Sequence, residues 1–377
     1  MNKAVVIGDN HHNTLGLIRS LGECQVPVYA VLFGNGGSFV AKSKYLKMTY
    51  DCRPGADDLE KLLMEQFGRE NEKPVLIPSC DTAALLLDRI YDRLCDSFFV
   101  GSIDRRQGRI SDLMNKYRMN ESAASAGLRV PKFMPFVWDG ATDTITIEEM
   151  MQRNDLQYPL IVKPLASVLG NKSMIHCLNN REELTCLLRK MQLGRYLFQN
   201  YIKKTDELGV QGVALYPGNV VYIPGVIWKA RQSEIAAGST TYAVLDRDAC
   251  SDEIEKVSRF VSQIGYRGIF DIELMKDGDD MYFIELNFRN GAYGYAYTRA
   301  GANLAYIWYL SCIGELDAMP REPIRKVFLM NEFADFAHVK NRHVPFFKWL
   351  LQYLKTNVKL VGNLHDMKPF FYKLIYH

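Results

Sequence analysis

The residues most suited to chemistry lie on two short segments that read as the arms of a β-hairpin. Residues 268–275 and 281–289 both alternate apolar and polar side chains, and a polar tip rich in Asp and Gly, 276–280, separates them. A period of two is that of a half-buried strand, and Asp-Gly favours a tight turn. We therefore predict a hairpin whose turn centres near Asp279.

The pairing predicted for this hairpin places four polar side chains on one face. With the turn near Asp279, Glu273 lies opposite Glu285 and Asp271 lies opposite Asn287. The other face is apolar and carries Ile272, Leu274, Ile284 and Leu286. Carboxylates opposed in this way are about 5 Å apart at Cβ and destabilise a sheet unless something compensates. Mg²⁺ held by oxygen ligands would do so, and the alternative is a solvated face whose acids serve solubility.

Two lysines are candidates for binding phosphate. Lys163 ends an apolar strand, 160–164, and a loop of small residues, 166–173, follows it. Backbone N–H groups of such a loop together with one lysine can hold a phosphate, although a lysine at a strand end is also a common surface feature. Lys116 lies on a predicted helix, 112–127, where most lysines are solvated.

The first hundred residues alternate strands and helices. This rhythm predicts a parallel sheet covered on both faces. The Gly-rich dinucleotide fingerprint does not follow the first strand, where residues 8–13 read Gly-Asp-Asn-His-His-Asn. Beyond a boundary near 105–112 the pattern changes to longer, antiparallel-looking strands with two intervening helices. The predicted class is α/β with two or three domains.

The composition excludes several classes of protein. A hydrophobic fraction of 48% and a charged fraction of 24% are those of an ordinary globular protein, and a net charge of +3 gives no reason to expect nucleic acid as a partner. The eight cysteines are scattered, which predicts reduced thiols rather than a disulfide framework. No uncharged apolar run reaches the ~20 residues of a membrane span, so the expected location is the cytoplasm.

In order and spacing, six segments resemble the ATP-grasp superfamily of carboxylate–amine ligases, most closely the carbamoyl-phosphate-synthase-like branch that includes D-aspartate ligase. The segments are 113–118, 126–131, 158–164, 197–202, 228–231 and 284–289. The resemblance covers roughly residues 1–315. It implies a Rossmann-like pre-ATP-grasp domain over 1–108 and a two-lobed α+β ATP-grasp domain over 109–320, with a small lobe at about 132–200. A helical, aromatic and basic C-terminal extension, 321–377, would follow.

The resemblance also implies roles for individual residues. Lys116 and Lys163 would contact the ATP phosphates, with Ser167 in the loop that closes over them. The adenine would bind through the backbone of Gln199, Asn200, Tyr201 and Ile202, and the ribose through Asp206 or Glu207. One or two Mg²⁺ ions, or Mn²⁺ in their place, would be held by Glu273, Glu285 and Asn287. Arg289 would stabilise the transferred phosphoryl group, and Arg231 would assist at the phosphate or at a substrate carboxylate.

Two positions depart from the pattern of the superfamily. Phe288 stands where a proline usually precedes the arginine, and Asn200 replaces the usual acid of the adenine-binding segment. Neither change removes a charge that the chemistry requires, because the contacts to adenine are largely made by the main chain. The two departures therefore concern the subfamily and not the superfamily.

The implied activity is ATP-dependent joining of a carboxylate to an amine. The carboxylate would be a small, aspartate-like amino acid, and the acceptor a cell-envelope precursor or a polysaccharide. The alternatives are a kinase-like enzyme that stops at phosphoryl transfer and a nucleotide-binding module without turnover. The paired acids argue against the module, which has no need of them.

Three further groups of residues have two interpretations each. His11 and His12, after the first strand, could contact substrate or form a surface loop, and Asp81 is interpreted mainly as a helix N-cap. Aromatic residues after the hairpin could line an amino-acid pocket or belong to the core. These residues are Tyr293, Tyr295 and Tyr297, with Arg299 beside them.

The C-terminal extension has an unusual composition. Residues 331–377 contain seven Lys or Arg, three Asp or Glu and ten aromatic residues. Apolar bulk mixed with lysine suits a segment lying at the surface of an anionic membrane, at its inner face. The alternative is that its helices pack on the catalytic core or on a second subunit of a homodimer.

Overall fold

The computed structural model describes residues 1–34, 37–165, 174–215, 220–231, 242–246, 250–316 and 324–376. Its first sheet is parallel, with strand order β3-β2-β1-β4. These strands and their helices are β1 (Ala4–Asp9), α1 (His12–Gly22), β2 (Val28–Phe33), β3 (Leu46–Cys52), α2 (Ala56–Phe67), β4 (Val75–Pro78), α3 (Asp81–Arg89) and α4 (Tyr91–Leu94). Alternate residues of β1 lie in different hydrophobic clusters, as expected for a sheet covered on both faces.

The chain leaves this sheet through β5 (Ser102–Ile103), which pairs with a strand of the large sheet described below. Two helices follow, α5 (Arg109–Leu113) and α6 (Lys116–Ser125). The prediction of one helix over 112–127 was wrong, because Asn115 interrupts it. The Asn115 side chain accepts hydrogen bonds from the N–H groups of Tyr117 and Arg118, and this cap places Lys116 in the first turn of α6.

A small antiparallel sheet with strand order β6-β9-β7-β8 comes next. Its elements are β6 (Phe133–Trp138), α7 (Thr144–Arg153), β7 (Leu160–Pro164), β8 (His176–Leu178), α8 (Arg181–Leu188) and β9 (Gly194–Asn200). The two helices pack on one face through a separate hydrophobic cluster. The strands and helices of this lobe lie between residues 133 and 200.

The large sheet has the strand order β15-β14-β10-β12-β13-β16-β17, with β11 paired to β10. Its elements are β10 (Asp206–Ala214), β11 (Val221–Tyr222), β12 (Val226–Lys229), β13 (Tyr242–Asp246), α9 (Ser251–Gln263), β14 (Tyr266–Asp277), β15 (Asp280–Asn287), α10 (Gly294–Ala300), α11 (Leu304–Ile313), β16 (Val327–Met330), α12 (Glu332–Lys340), α13 (Phe346–Lys355), β17 (Val358–Lys359) and α14 (Lys368–Tyr376). One face packs against α6 and α9, and the other packs against α1, α10 and α11. The α/β class predicted from the sequence is confirmed.

The C-terminal extension packs back on the rest of the chain. It supplies two strands of the large sheet, β16 and β17, which the sequence analysis did not predict. Arg19 of α1 donates from Nε to Asp366 at 3.0 Å, and both side chains are buried. Its other N–H groups reach the carbonyls of Leu360 and Val361. Among the described residues, no helix is long and apolar enough to cross a membrane.

Candidate active site

The predicted pairing of the polar residues on the hairpin is confirmed. Glu273 lies opposite Glu285, and Asp271 lies opposite Asn287. The turn itself is shorter than predicted, since Asp277 pairs with Asp280. If the pairing continued from this turn without interruption, Glu273 would lie opposite Ile284. A β-bulge after Glu273 shifts the pairing by one residue and brings the two glutamates into line.

The bulge also changes the apolar face. Ile272, Leu274 and Leu286 lie in the cluster beneath the sheet, as predicted. Phe283 joins them, rather than the predicted Ile284, because the bulge adds one residue to β15 at this point. The apolar side of the hairpin packs against α6, and the Leu286 N–H lies 3.3 Å from Sδ of Met119. This packing brings α6 and its Lys116 to the glutamates.

Two lysines lie within electrostatic reach of Glu285. Lys163 on β7 is only 8% exposed, and burial together with the nearby Lys116 ammonium lowers its pKa to about 8. The N–H of Lys116 donates to the Leu165 carbonyl at 3.0 Å and so ties the start of α6 to the end of β7. Two ammonium groups at a helix N-terminus concentrate positive potential, which favours an anion between them.

Burial raises the pKa of Glu285, and Glu273 and Asp81 raise it further against the opposing effect of the lysines. A bound cation would favour the charged carboxylate instead. Two carboxylates and the amide of Asn287 are hard oxygen donors suited to Mg²⁺, which commonly takes one or two protein carboxylates and completes its octahedron with phosphate and water. No three His, Cys, Asp or Glu side chains in the described part of the chain could hold an ion by themselves.

Arg289 lies between two carboxylates. Its Nε donates to Asp81 at 3.0 Å and its Nη1 donates to Asp271 at 3.2 Å. Burial lowers its pKa, but Asp81, Asp271 and both glutamates outweigh that effect and raise it, so the guanidinium stays charged. Asp81 is the first residue of α3, and Cys80 occupies the N-cap position without a capping bond, so the N-cap interpretation of Asp81 was wrong.

Sequence reasoning gave no role to Lys229, on β12. Lys229 is buried and lies 3.4 Å from Glu207 on the neighbouring strand. Glu273, Glu207 and Asp271 raise its pKa against the effect of burial. Glu207, expected at the ribose, is 1% exposed and is also paired with Lys204. The sequence offered one indication of a role for Lys229, which is that it lies in 228–231, one of the segments on which the resemblance to the ATP-grasp superfamily rests.

The segment expected to bind adenine is partly engaged within the protein. The N–H groups of Asn200 and Tyr201 donate to Lys132 and Pro159, and the Ile202 carbonyl accepts from Lys204. Among the described residues, the Tyr201 carbonyl and the Ile202 N–H make no hydrogen bond to another main-chain group. Gln199 is 4% exposed, and its Nε2 has no hydrogen-bond partner there either. Ser167 and the loop 166–173 lie outside the described residues.

The contacts of Arg231 are to the C-terminal extension rather than to the glutamates. Its guanidinium makes two 2.7 Å hydrogen bonds to Asp335 of α12, and Nη1 donates to Gln352 of α13 at 2.9 Å. It also lies over the ring of Tyr242. Asp335 is fully buried. In this structure Arg231 therefore attaches the extension to the large sheet.

The residues with two interpretations divide between the core and the edge of the first sheet. Tyr297 is fully buried, accepts from the Gln211 N–H and donates to the Gly225 carbonyl, so it is a core residue. His11 is the N-cap of α1, and His12 is buried beside it. Burial lowers the pKa of both histidines, and nearby cations lower it further. They therefore favour the neutral form.

No family model matches the chain. A curated relative, the carbamoyl phosphate synthase large chain of Pseudomonas aeruginosa, is 20% identical over 393 aligned positions that cover 86% of this chain and 35% of the relative. The chain thus spans about a third of the length of that relative.

Solved structures match over most of both chains. N5-carboxyaminoimidazole synthetase from Staphylococcus aureus complexed with ADP is 16% identical, with a TM-score of 0.68 and coverage of 91% of this chain and 87% of that one. L-amino acid ligase from Bacillus licheniformis is 15% identical, with a TM-score of 0.65 and coverage of 87% and 79%. The biotin carboxylase domain of Hydrogenobacter thermophilus 2-oxoglutarate carboxylase is 18% identical, with a TM-score of 0.65 and coverage of 87% and 74%. At these identities the likeness is one of fold, and this chain has the ATP-grasp fold.

Proposed function

We propose that this chain is an ATP- and Mg²⁺-dependent ligase that joins a carboxylate to an amine through an acyl phosphate. The observation that carries the proposal is the opposed pair Glu273 and Glu285, with Asn287 on the same face and the cations of Lys163 and Lys116 acting on Glu285. A module that only bound nucleotide would have no use for opposed acids and lysines in this arrangement.

The nucleotide would lie between the small lobe and the large sheet. Lys163 and Lys116 would contact the phosphates, and Gln199, Tyr201 and Ile202 offer polar groups to the adenine. Glu273, Glu285 and Asn287 would hold Mg²⁺, which supplies charge neutralisation for the transferred phosphoryl group. The ADP and MgADP named for two of the similar structures support this assignment.

The chemistry needs positioned charge rather than a protein nucleophile. A substrate carboxylate oxygen attacks the γ-phosphorus of ATP, and the bond to the β-phosphate oxygen breaks to release ADP. The amine nitrogen then attacks the acyl carbon, the C–O bond to phosphate breaks, and the nitrogen loses a proton. Arg289, charged and held by Asp271, would stabilise the developing negative charge.

For the substrates we infer a small, aspartate-like amino acid, with a cell-envelope precursor or a polysaccharide as the acceptor. An amino acid is favoured by the likeness to an L-amino acid ligase. It is also favoured by Arg289 and Asp81, which adjoin at the edge of the first sheet and could complement a carboxylate and an ammonium. Open α/β sheets bind ligands at this edge.

The test is release of ADP against a panel of amino acids, each alone and each with envelope precursors. With ATP and the correct carboxylate but no amine, added hydroxylamine should trap the acyl phosphate as a hydroxamate. Absence of hydroxamate together with a stable phosphoester on a substrate hydroxyl would show a kinase instead. Absence of ADP release across the panel, with ATP binding retained, would refute the ligase assignment for these substrates.

A further inference from the structure

The outward side of α13 and α14 is apolar. On α13, Trp349 packs inward against Phe336, with ring centroids 5.0 Å apart. Side chains at i, i+4 and i+7 face solvent instead, with exposures of 77% for Phe347, 59% for Leu351 and 68% for Leu354. On α14, Phe370 packs against Phe333, while other apolar side chains are more than half exposed. The exposed residues of α14 are Phe371, Leu374, Ile375 and Tyr376.

The exposed charge of the C-terminal extension has one sign. All three acids of residues 331–376 are buried, Asp335 against Arg231, Asp366 against Arg19, and Glu332 at the N–H groups that follow β17. Of the seven basic side chains of this segment, Lys359 and Lys373 are half-buried and five are exposed, namely Lys340, Arg342, Lys348, Lys355 and Lys368. The sequence shows only an excess of basic over acidic residues, whereas the fold removes every acid of this segment from the surface.

We propose that the exposed sides of α13 and α14 bind an anionic lipid membrane, with both helices lying in the interface. Interfacial binding has two components. Large apolar side chains enter the headgroup region, and lysines beside them contact anionic lipid. A second copy of this chain fits less well. In a two-fold symmetric contact the same basic surface would face itself, and like charges would oppose each other. The inference does not depend on the proposed ligase activity.

The test is co-sedimentation of the full-length protein with vesicles of phosphatidylcholine, with and without about one third phosphatidylserine. Binding should require phosphatidylserine at low salt and weaken as salt rises, because screening shortens the reach of the lysines. Lys348→Glu with Lys355→Glu should lower the partition coefficient at least about twentyfold, since each cation contributes about fivefold. Phe347→Ser with Leu354→Ser should lower it at least about tenfold.

The matched controls are Lys47→Glu and Val137→Ser, exposed residues of the first domain and the small lobe. Both should bind vesicles like the unaltered protein, and all variants should keep the same melting temperature because the altered side chains are solvent-exposed. Failure of the unaltered protein to bind anionic vesicles at low salt would overturn the proposal. So would vesicle binding that neither double variant weakens. A third outcome is that the unaltered protein binds no vesicles but forms a dimer, which Phe347→Ser with Leu354→Ser dissociates. That result would assign the surface to a second copy of the chain.

Discussion

Replacing Lys163 by methionine should stabilise the protein while abolishing its activity. In the folded chain, burial and Lys116 lower the pKa of Lys163 from 10.5 to about 8. At 1.36 kcal/mol per pKa unit, holding the ammonium charged at neutral pH costs about 3 kcal/mol of folding free energy. Methionine has a similar length and no charge to desolvate. Lys163→Met should therefore raise the free energy of unfolding by up to about 3 kcal/mol at pH 7.

The sign of this effect depends on pH in a way that tests its cause. Below about pH 8 Lys163 is protonated in both the folded and the unfolded chain, and the full cost is present. Between about pH 8 and 10.5, Lys163 is protonated in the unfolded chain but not in the folded chain. The unaltered protein therefore becomes more stable as the pH rises through this range, and the advantage of the variant disappears.

Urea denaturation at neutral and at alkaline pH measures the difference, with Lys47→Met as an exposed control expected to change stability by less than about 0.5 kcal/mol. Equal stabilisation at both pH values would show that packing, not charge burial, is responsible. Destabilisation at neutral pH would refute the reasoning about Lys163.

Three further predictions follow from the same geometry. Glu285→Gln should abolish turnover with the melting temperature within a few degrees of normal, and EDTA should suppress turnover of the unaltered protein; activity unaffected by EDTA would contradict the metal site. Arg289→Ala should lower kcat by about 10²–10³, as expected for one donor at developing charge, and near-normal turnover would misplace the phosphoryl site. The value of kcat/KM for ATP should fall above about pH 8 as Lys163 loses its proton. In Lys163→Arg the fall in kcat/KM should move to higher pH. If kcat/KM of the unaltered protein stays constant up to about pH 10, Lys163 does not bind ATP in its charged form.

A separate prediction concerns the attachment of the C-terminal extension. Asp335→Ala leaves the Arg231 guanidinium, whose side chain is only 14% exposed, without its carboxylate and should destabilise the protein by about 3–5 kcal/mol. Replacing both members of the pair, Arg231→Met with Asp335→Leu, should restore most of that loss because no buried charge remains. Equal losses in the single and double variants would show that packing rather than charge is responsible. Thermal or urea unfolding provides the measurement.

The sequence was sufficient to predict features that depend on neighbouring residues. Alternation with a period of two and the Asp-Gly tip predict a hairpin, and its pairing then predicts that Glu273 opposes Glu285. The βα rhythm of the first hundred residues predicts a parallel sheet in the same way. Even here, the tight turn and the bulge compensate each other, and the sequence pattern did not reveal either one.

Only the tertiary structure decided which distant charges meet. Arg289 pairs with Asp81, 208 positions away, and Arg231 pairs with Asp335, 104 positions away. The pattern of a single strand or helix shows which face a side chain occupies, but not which charge packs against that face. The difference matters most for Arg231, which the resemblance assigns to catalysis and which the fold pairs with a buried carboxylate of the C-terminal extension. Burial likewise lowers the pKa of Lys163, because the charge of an ammonium is costly only after the folded chain has excluded water from it.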